Sequence, residues 1–178
     1  MRKLIVSVTT VCALLAPIAA SAAGTPSVSA VAASLCKQEQ KTMGTTNFNA
    51  AYGTNADKSN AYGKCVSKNA GTAQQDVNNA AKSCKAEQAD PNFATNHGGK
   101  TFDQFYGATQ GPNAGANAYG KCVSAKVKSA AALQASKAGS AARSCRADLK
   151  ADKAAFATAW GTGTNAFGKC VSSKSKSK

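Results

Sequence analysis

Aromatic side chains fall in pairs four residues apart at three places along the chain: Phe48 and Tyr52, Phe102 and Tyr106, Phe156 and Trp160. Four residues is about one helical turn, so both members of a pair face the same way. A glycine follows each pair directly, at Gly53, Gly107 and Gly161. Glycine can take the left-handed conformation that closes a helix, so the spacing predicts a short aromatic helix with a glycine stop. Ala-rich segments flank these pairs, each carrying one cysteine. Strand-like alternation of β-branched residues is absent after the first 22 positions, so an all-α chain is expected.

The flanking segments repeat. Asn60 to Ser67 reads NAYGKCVS, returns at Asn117 to Ser124, and returns again at Asn165 to Ser172 with Phe for Tyr. Upstream, Ala32 to Glu39 (AASLCKQE) matches Ala80 to Glu87 (AAKSCKAE) and Ala141 to Asp148 (AARSCRAD). Each copy therefore reads as a helix with the first Cys, a short aromatic helix, a glycine stop, a loop, and a helix with the second Cys. The loops hold six, nine and three residues before Asn60, Asn117 and Asn165, a variation typical of surface segments. Each of those Asn is placed to cap the last helix through its side chain. The Gly three residues later costs about 1 kcal/mol in a helix. Its recurrence predicts that another backbone comes close there.

Three repeats follow, at 30–71, 78–128 and 139–173, in a short array. The connections Asn69 to Ala80 and Ala125 to Ser140 contain few breakers, so the last helix of one copy is expected to run into the first of the next. Such shared helices would reach about 25–35 residues, with Gly71 and Gly139 as their weak points. Residues 24–29 and the Ser-Lys tail from Ser172, including a basic tail at 174–178, are expected to be disordered.

Residues 1–22 have the layout of a secretory signal peptide: Arg2 and Lys3, an uncharged apolar run from Leu4 to Ala20, and an A-x-A site at Ala20-Ser21-Ala22. Ser7, Thr9, Thr10 and Pro17 break that run too much for a membrane span. Cys12 lies inside it, outside a lipid-attachment context. Cleavage would remove Arg2 and Lys3 from a formal +14 and leave +12. It would also leave six Cys, an even number, in an exported chain, which favours disulfides and a secreted or cell-wall location.

Composition then makes those disulfides necessary. Beyond residue 22 the chain has three Leu, no Ile, seven Val and six Phe among 156 residues. So few large apolar residues at high charge would ordinarily mean disorder. Cross-links can replace the missing core. If each copy is one unit, the pairs are Cys36–Cys65, Cys84–Cys122 and Cys145–Cys170. Zinc is a poor alternative, because no C-x-x-C occurs and His97 is the only His.

Candidate chemistry is sparse, and no cofactor or metal is expected. His97 stands in an insertion of the second copy and reads as a solvated loop residue. Glu39, Glu87 and Asp148 recur, one per copy, which suits a solvated face or local ion pair better than paired catalytic carboxylates. Asn55 to Ser59 lacks the turn Gly and terminal Glu of a calcium loop. Trp160 shares its register with Tyr52 and Tyr106 and reads as a core aromatic. The remaining signal is basic. Lys37, Lys85 and Arg146 follow the first Cys of each copy, and Lys64, Lys121 and Lys169 precede the second. Six such cations could form a positive stripe, joined by Lys126, Lys128, Lys174, Lys176 and Lys178.

The segment Asn-Ala-Phe/Tyr-Gly-Lys-Cys-Val-Ser, with Ala-Ala-x-x-Cys-Lys/Arg-x-Glu/Asp upstream, resembles uncharacterised secreted proteins of high-GC Gram-positive bacteria. The likeness covers residues 32–67, 80–124 and 141–172. It implies export and a bacterial source, and brings no activity or site. The expected function is a non-enzymatic module of the cell envelope or its surroundings that binds anionic polymers through the repeated Lys and Arg. The alternatives are a structural spacer or protein-interaction scaffold with no polymer ligand, and a cationic antimicrobial. The last lacks the apolar face that membrane insertion needs.

Overall fold

A computed structural model describes residues 24–107 and 115–176. The expected signal peptide, Cys12 and Lys178 lie outside the described residues. The described residues form eight helices and no strand. These are α1 (Val28–Met43), α2 (Thr45–Tyr52), α3 (Ala61–Gln88), α4 (Phe93–Asn96), α5 (Phe102–Tyr106), α6 (Ala118–Ala151), α7 (Lys153–Trp160) and α8 (Ala166–Lys176). The aromatic pairs stand on α2, α5 and α7, as their spacing predicts. The shared helices also form: α3 has 28 residues and α6 has 34.

All three expected bridges are present, Cys36–Cys65, Cys84–Cys122 and Cys145–Cys170, with Cα separations of 5.9, 6.0 and 6.0 Å. Every one of the six cysteines is fully buried. Each bridge ties the first helix of a copy to its last. Because α3 and α6 each belong to two copies, each carries two bridged cysteines, Cys65 and Cys84 on α3, Cys122 and Cys145 on α6. The chain is thereby fastened helix to helix from α1 to α8.

The array folds back on itself. One core contains the first and third bridges together with Met43, Phe48, Phe156, Phe167 and Val171. A second surrounds Cys84–Cys122 with Phe93, Phe102, Val123 and Val127, and takes Val31 and Ala32 from α1. Leu35 joins Ala131 and Ala135 between them. Helices α1, α3 and α6 pack on one another, and α8 packs on α6 and α2. Alanines at the α1–α6 contact let the backbones approach closely. Gly139 extends this, because a Cβ there would strike the Thr42 methyl.

Four local expectations need correction. The tail is not disordered through its length: α8 continues to Lys176, and Lys174 donates to Ser144 Oγ at 2.8 Å and pairs with Asp148 at 2.5 Å. Residues 24–29 are also placed, since Ser27 Oγ caps α1 by accepting Ala30 N–H and Gly24 lies on Gly120. Asn60 and Asn117 do not cap through their side chains. Asn60 instead clamps its loop, accepting from Thr54 N–H at 2.9 Å and donating to Thr54 Oγ1 at 2.8 Å. Of the three stop glycines, Gly161 has positive φ (88°), whereas Gly53 and Gly107 are extended. At Gly53 and Gly107 a Cβ would collide with a carbonyl four residues back, so crowding selects glycine there.

The repeated helix glycine behaves as expected in two copies. A Cβ at Gly120 would stand 2.7 Å from the Gly24 carbonyl carbon, and one at Gly168 would strike the Ala51 carbonyl oxygen. Around Gly63 the space is open. Gly63→Ala is therefore expected to stabilise the protein by about 1 kcal/mol through helix propensity. Gly168→Ala is expected to destabilise it by about 1–3 kcal/mol through overpacking. Urea-denaturation midpoints at unchanged slope check both signs. By the same measurement, replacing Cys84 and Cys122 together by Ser frees a 38-residue separation. The expected loss is about 4 kcal/mol.

Candidate functional site

The packing of the first unit on the third leaves a groove between α2, α3, α6 and α8. Its centre has a volume of about 410 Å³ and is lined by Glu39, Tyr52, Lys68, Asn69, Lys137 and Lys176, among others. It continues along α6 and α8 as a space of about 430 Å³ walled by Ser136, Ser140, Ser144, Lys137, Lys174 and Ser175. Toward α2 it continues as about 350 Å³ bounded by Tyr52, Lys64, Lys68, Asn165, Lys169 and Ser172. Lys137 and Ser175 are common to the first two spaces, and Tyr52, Lys68 and Ser172 join the third. Six lysines and a row of hydroxyls thus line one connected depression, with Glu39 as the carboxylate among its lining residues. Each section has the size of an ordinary ligand cleft.

All six bases singled out by the repeat are exposed. Lys64 and Lys169 meet in the groove. Arg146 is engaged elsewhere, holding Asn47 Oδ1 at 3.0 and 2.6 Å and lying 5.1 Å over the Phe167 ring. Lys37, Lys85 and Lys121 line none of the three groove sections. The groove draws instead on Lys68 and Lys137, which repeat counting passed over because neither recurs at a fixed place. Lys68 shows the linking role directly: it donates to Ser172 Oγ at 2.6 Å and sits 5.4 Å over the Tyr52 ring.

The repeated acids divide into three environments. Asp148 is exposed and paired with Lys174. Glu87 is half-buried, accepts from Tyr106 Oη at 2.9 Å and pairs with Lys126 at 2.6 Å. Both fit the expected local ion pair. Glu39 does not: it is 4% exposed, it accepts from Tyr52 Oη at 2.5 Å, and it lies 3.7 Å from Cys65 Sγ. Its pKa is raised, because burial opposes the charged form more than the Tyr52 hydrogen bond and the Lys68 charge support it. At Glu87 burial is outweighed by the Lys126 and Tyr106 hydrogen bonds and the Lys126 charge, and the pKa is lowered. Burial and the adjacent Glu87 push Tyr106 up to about 12.

Two minor expectations resolve here. His97 is half-buried rather than solvated, stacked on Phe93 at 3.8 Å with Nδ1 2.8 Å from the Phe93 carbonyl. Trp160 packs against the first core, as its register implies. No cluster of His, Cys, Asp and Glu among the described residues could hold a metal. No helix among them is long and apolar enough to cross a membrane. No family model, curated protein or solved structure matches this chain.

The opposed shifts of Glu39 and Glu87 have opposite consequences for stability. An acid whose folded pKa is raised stabilises the fold below its ordinary value near 4.5, and that contribution is lost as pH rises through the raised value. Besides Tyr52, the charged groups around Glu39 are Lys68, Lys137 and Lys176. Wild type should therefore lose ground to Glu39→Gln as pH rises from about 4 to 8. Against Glu87→Gln it should gain on the acid side instead, as pH rises through the lowered value up to about 5, and stay level above that. Melting temperatures across pH test this, and a flat Glu39 difference would refute the assignment.

Proposed function

We propose that the chain is a secreted, non-enzymatic binding module that holds an extended anionic polymer of the cell envelope or its surroundings. The observation that carries this reading is the connected groove, in which Lys64, Lys68, Lys137, Lys169, Lys174 and Lys176 stand along one path. Clustered cations gain by releasing the counterions condensed on a polyanion. Ser136, Ser140 and Ser144 recur every four residues on α6, so about 6 Å apart, and offer hydroxyls between the charges. Three buried disulfides and the leader-like first 22 residues support an oxidising, extracellular setting. The resemblance to secreted proteins of high-GC Gram-positive bacteria points to the same setting.

The large exposed apolar side chains among the described residues are Phe105 and Leu133, which weighs against a membrane-active peptide. The competing reading is that the charge serves solubility alone, and the groove separates the two cases. Heparin oligosaccharide is a suitable probe. Lys64→Ala with Lys169→Ala should reduce the salt-dependence slope of binding by about one per lysine. Lys85→Ala with Lys121→Ala removes equal charge beside the second bridge and should leave the slope nearly unchanged. Equal effects of the two pairs, in calorimetric titrations at several salt concentrations, would reject the groove.

A further inference from the structure

The three copies share a rule that the first copy breaks. In the second and third, a lysine stands four residues after the second Cys and neutralises the repeated acid: Lys126 on Glu87 and Lys174 on Asp148. In the first, that position is Asn69, whose Nδ2 turns to the bridge sulfurs, 3.4 Å from Cys65 Sγ and 3.8 Å from Cys36 Sγ. Lys68, one residue earlier, is drawn to Ser172 and the Tyr52 ring instead. Glu39 consequently has no ion pair among the described residues, although it is the most buried of the three acids.

Its second oxygen is open. Tyr52 and Cys65 both lie against Oε2, and Oε1 accepts no hydrogen bond. No fully buried side-chain oxygen or nitrogen among the described residues lacks a partner, so Oε1 must reach the space it lines. That space is the central section of the groove, with Lys68, Lys137 and Lys176 around it. A carboxylate at the base of a lysine-rimmed cleft suits a ligand bearing both charges. Its ammonium group would take the place that lysine holds in the other copies, and its anionic groups would meet the rim.

We propose that Glu39 is the recognition site for a protonated amine carried by the polyanion, so that the groove selects zwitterionic polymers, those with primary ammonium groups beside phosphate, sulfate or carboxylate. This rests on the polyanion reading above and sharpens it. Charge-assisted hydrogen bonding of the ammonium to Glu39 also opposes the burial that favours the neutral acid. Simple electrostatics predicts the reverse preference, because each ammonium cancels part of the polymer's negative charge.

The test compares N-desulfated heparin, which carries free ammonium groups, with the same polymer after N-acetylation. The wild-type protein is expected to bind the ammonium form about tenfold more tightly near neutral pH. Glu39→Gln should lose that preference and follow total polymer charge. Asn69→Lys rebuilds the pairing of the other copies and should lose it as well, with the fold retained. Equal or tighter wild-type binding of the acetylated form would overturn the amine site and leave the polyanion groove standing. Retention of the preference in either variant would also overturn it. Failure to bind either polymer would remove both readings.

Discussion

Three sulfur–sulfur bonds stand where most domains have a large apolar core. With 16 Leu, Val and Phe side chains beyond residue 22, burial alone offers little against the conformational entropy of a strongly charged chain. Each bridge limits the unfolded ensemble over 25 to 38 residues. It also brings a cysteine pair to full burial, around which the few aromatics collect. Helices α3 and α6 each carry one cysteine from two bridges, so the local cross-links become one continuous fastening. Alanine then becomes useful. It favours helix, and its small side chain lets α1 lie close on α6.

That close packing generates the groove. A strictly linear stack would leave the first and third units apart. Here they share one core, and α8 returns across α6 and α2. Basic residues from distant parts of the chain, Lys64 and Lys68 on α3, Lys137 on α6 and Lys169 to Lys176 on α8, then line the same depression. Mutual repulsion among them is moderated by solvent, by Asp148 at Lys174, and by hydroxyl partners such as Ser172 and Ser144. The polymer proposed for this groove would supply the remaining neutralisation.

Repetition also explains why one acid differs from its equivalents. Glu39, Glu87 and Asp148 occupy one sequence position and three electrostatic settings. A tyrosine one helix away serves the two glutamates, through Tyr52 and Tyr106. Trp160 replaces it in the third copy, and the shorter Asp148 turns to Lys174. Glu39 is buried against Tyr52 and the Cys36–Cys65 bridge, while Glu87 stays at the margin. The ionisation preferences then part in opposite directions because desolvation prevails at Glu39 and is outweighed at Glu87 by the Lys126 and Tyr106 interactions together.

The amino-acid order by itself determined the helical class, the bridge pairing and the shared helices. Each of these follows from local spacing: cysteines at repeated positions, aromatics one turn apart, and uninterrupted Ala-rich connections. Glycine at positions 120 and 168 also announced close backbone contacts. What occupies those contacts, Gly24 and Ala51, was not legible, because neither lies near its partner in sequence. The same holds for the groove. Lys68 and Lys137 do not recur and carry no local signature, and the sequence does not show that Glu39 is the buried one of the repeated acids. Only the closure of the first unit on the third decided which cations converge, whereas the missing lysine at Glu39 is already written in the sequence as Asn69. Contacts across 100 residues depend on helix lengths and packing angles, which no short pattern encodes.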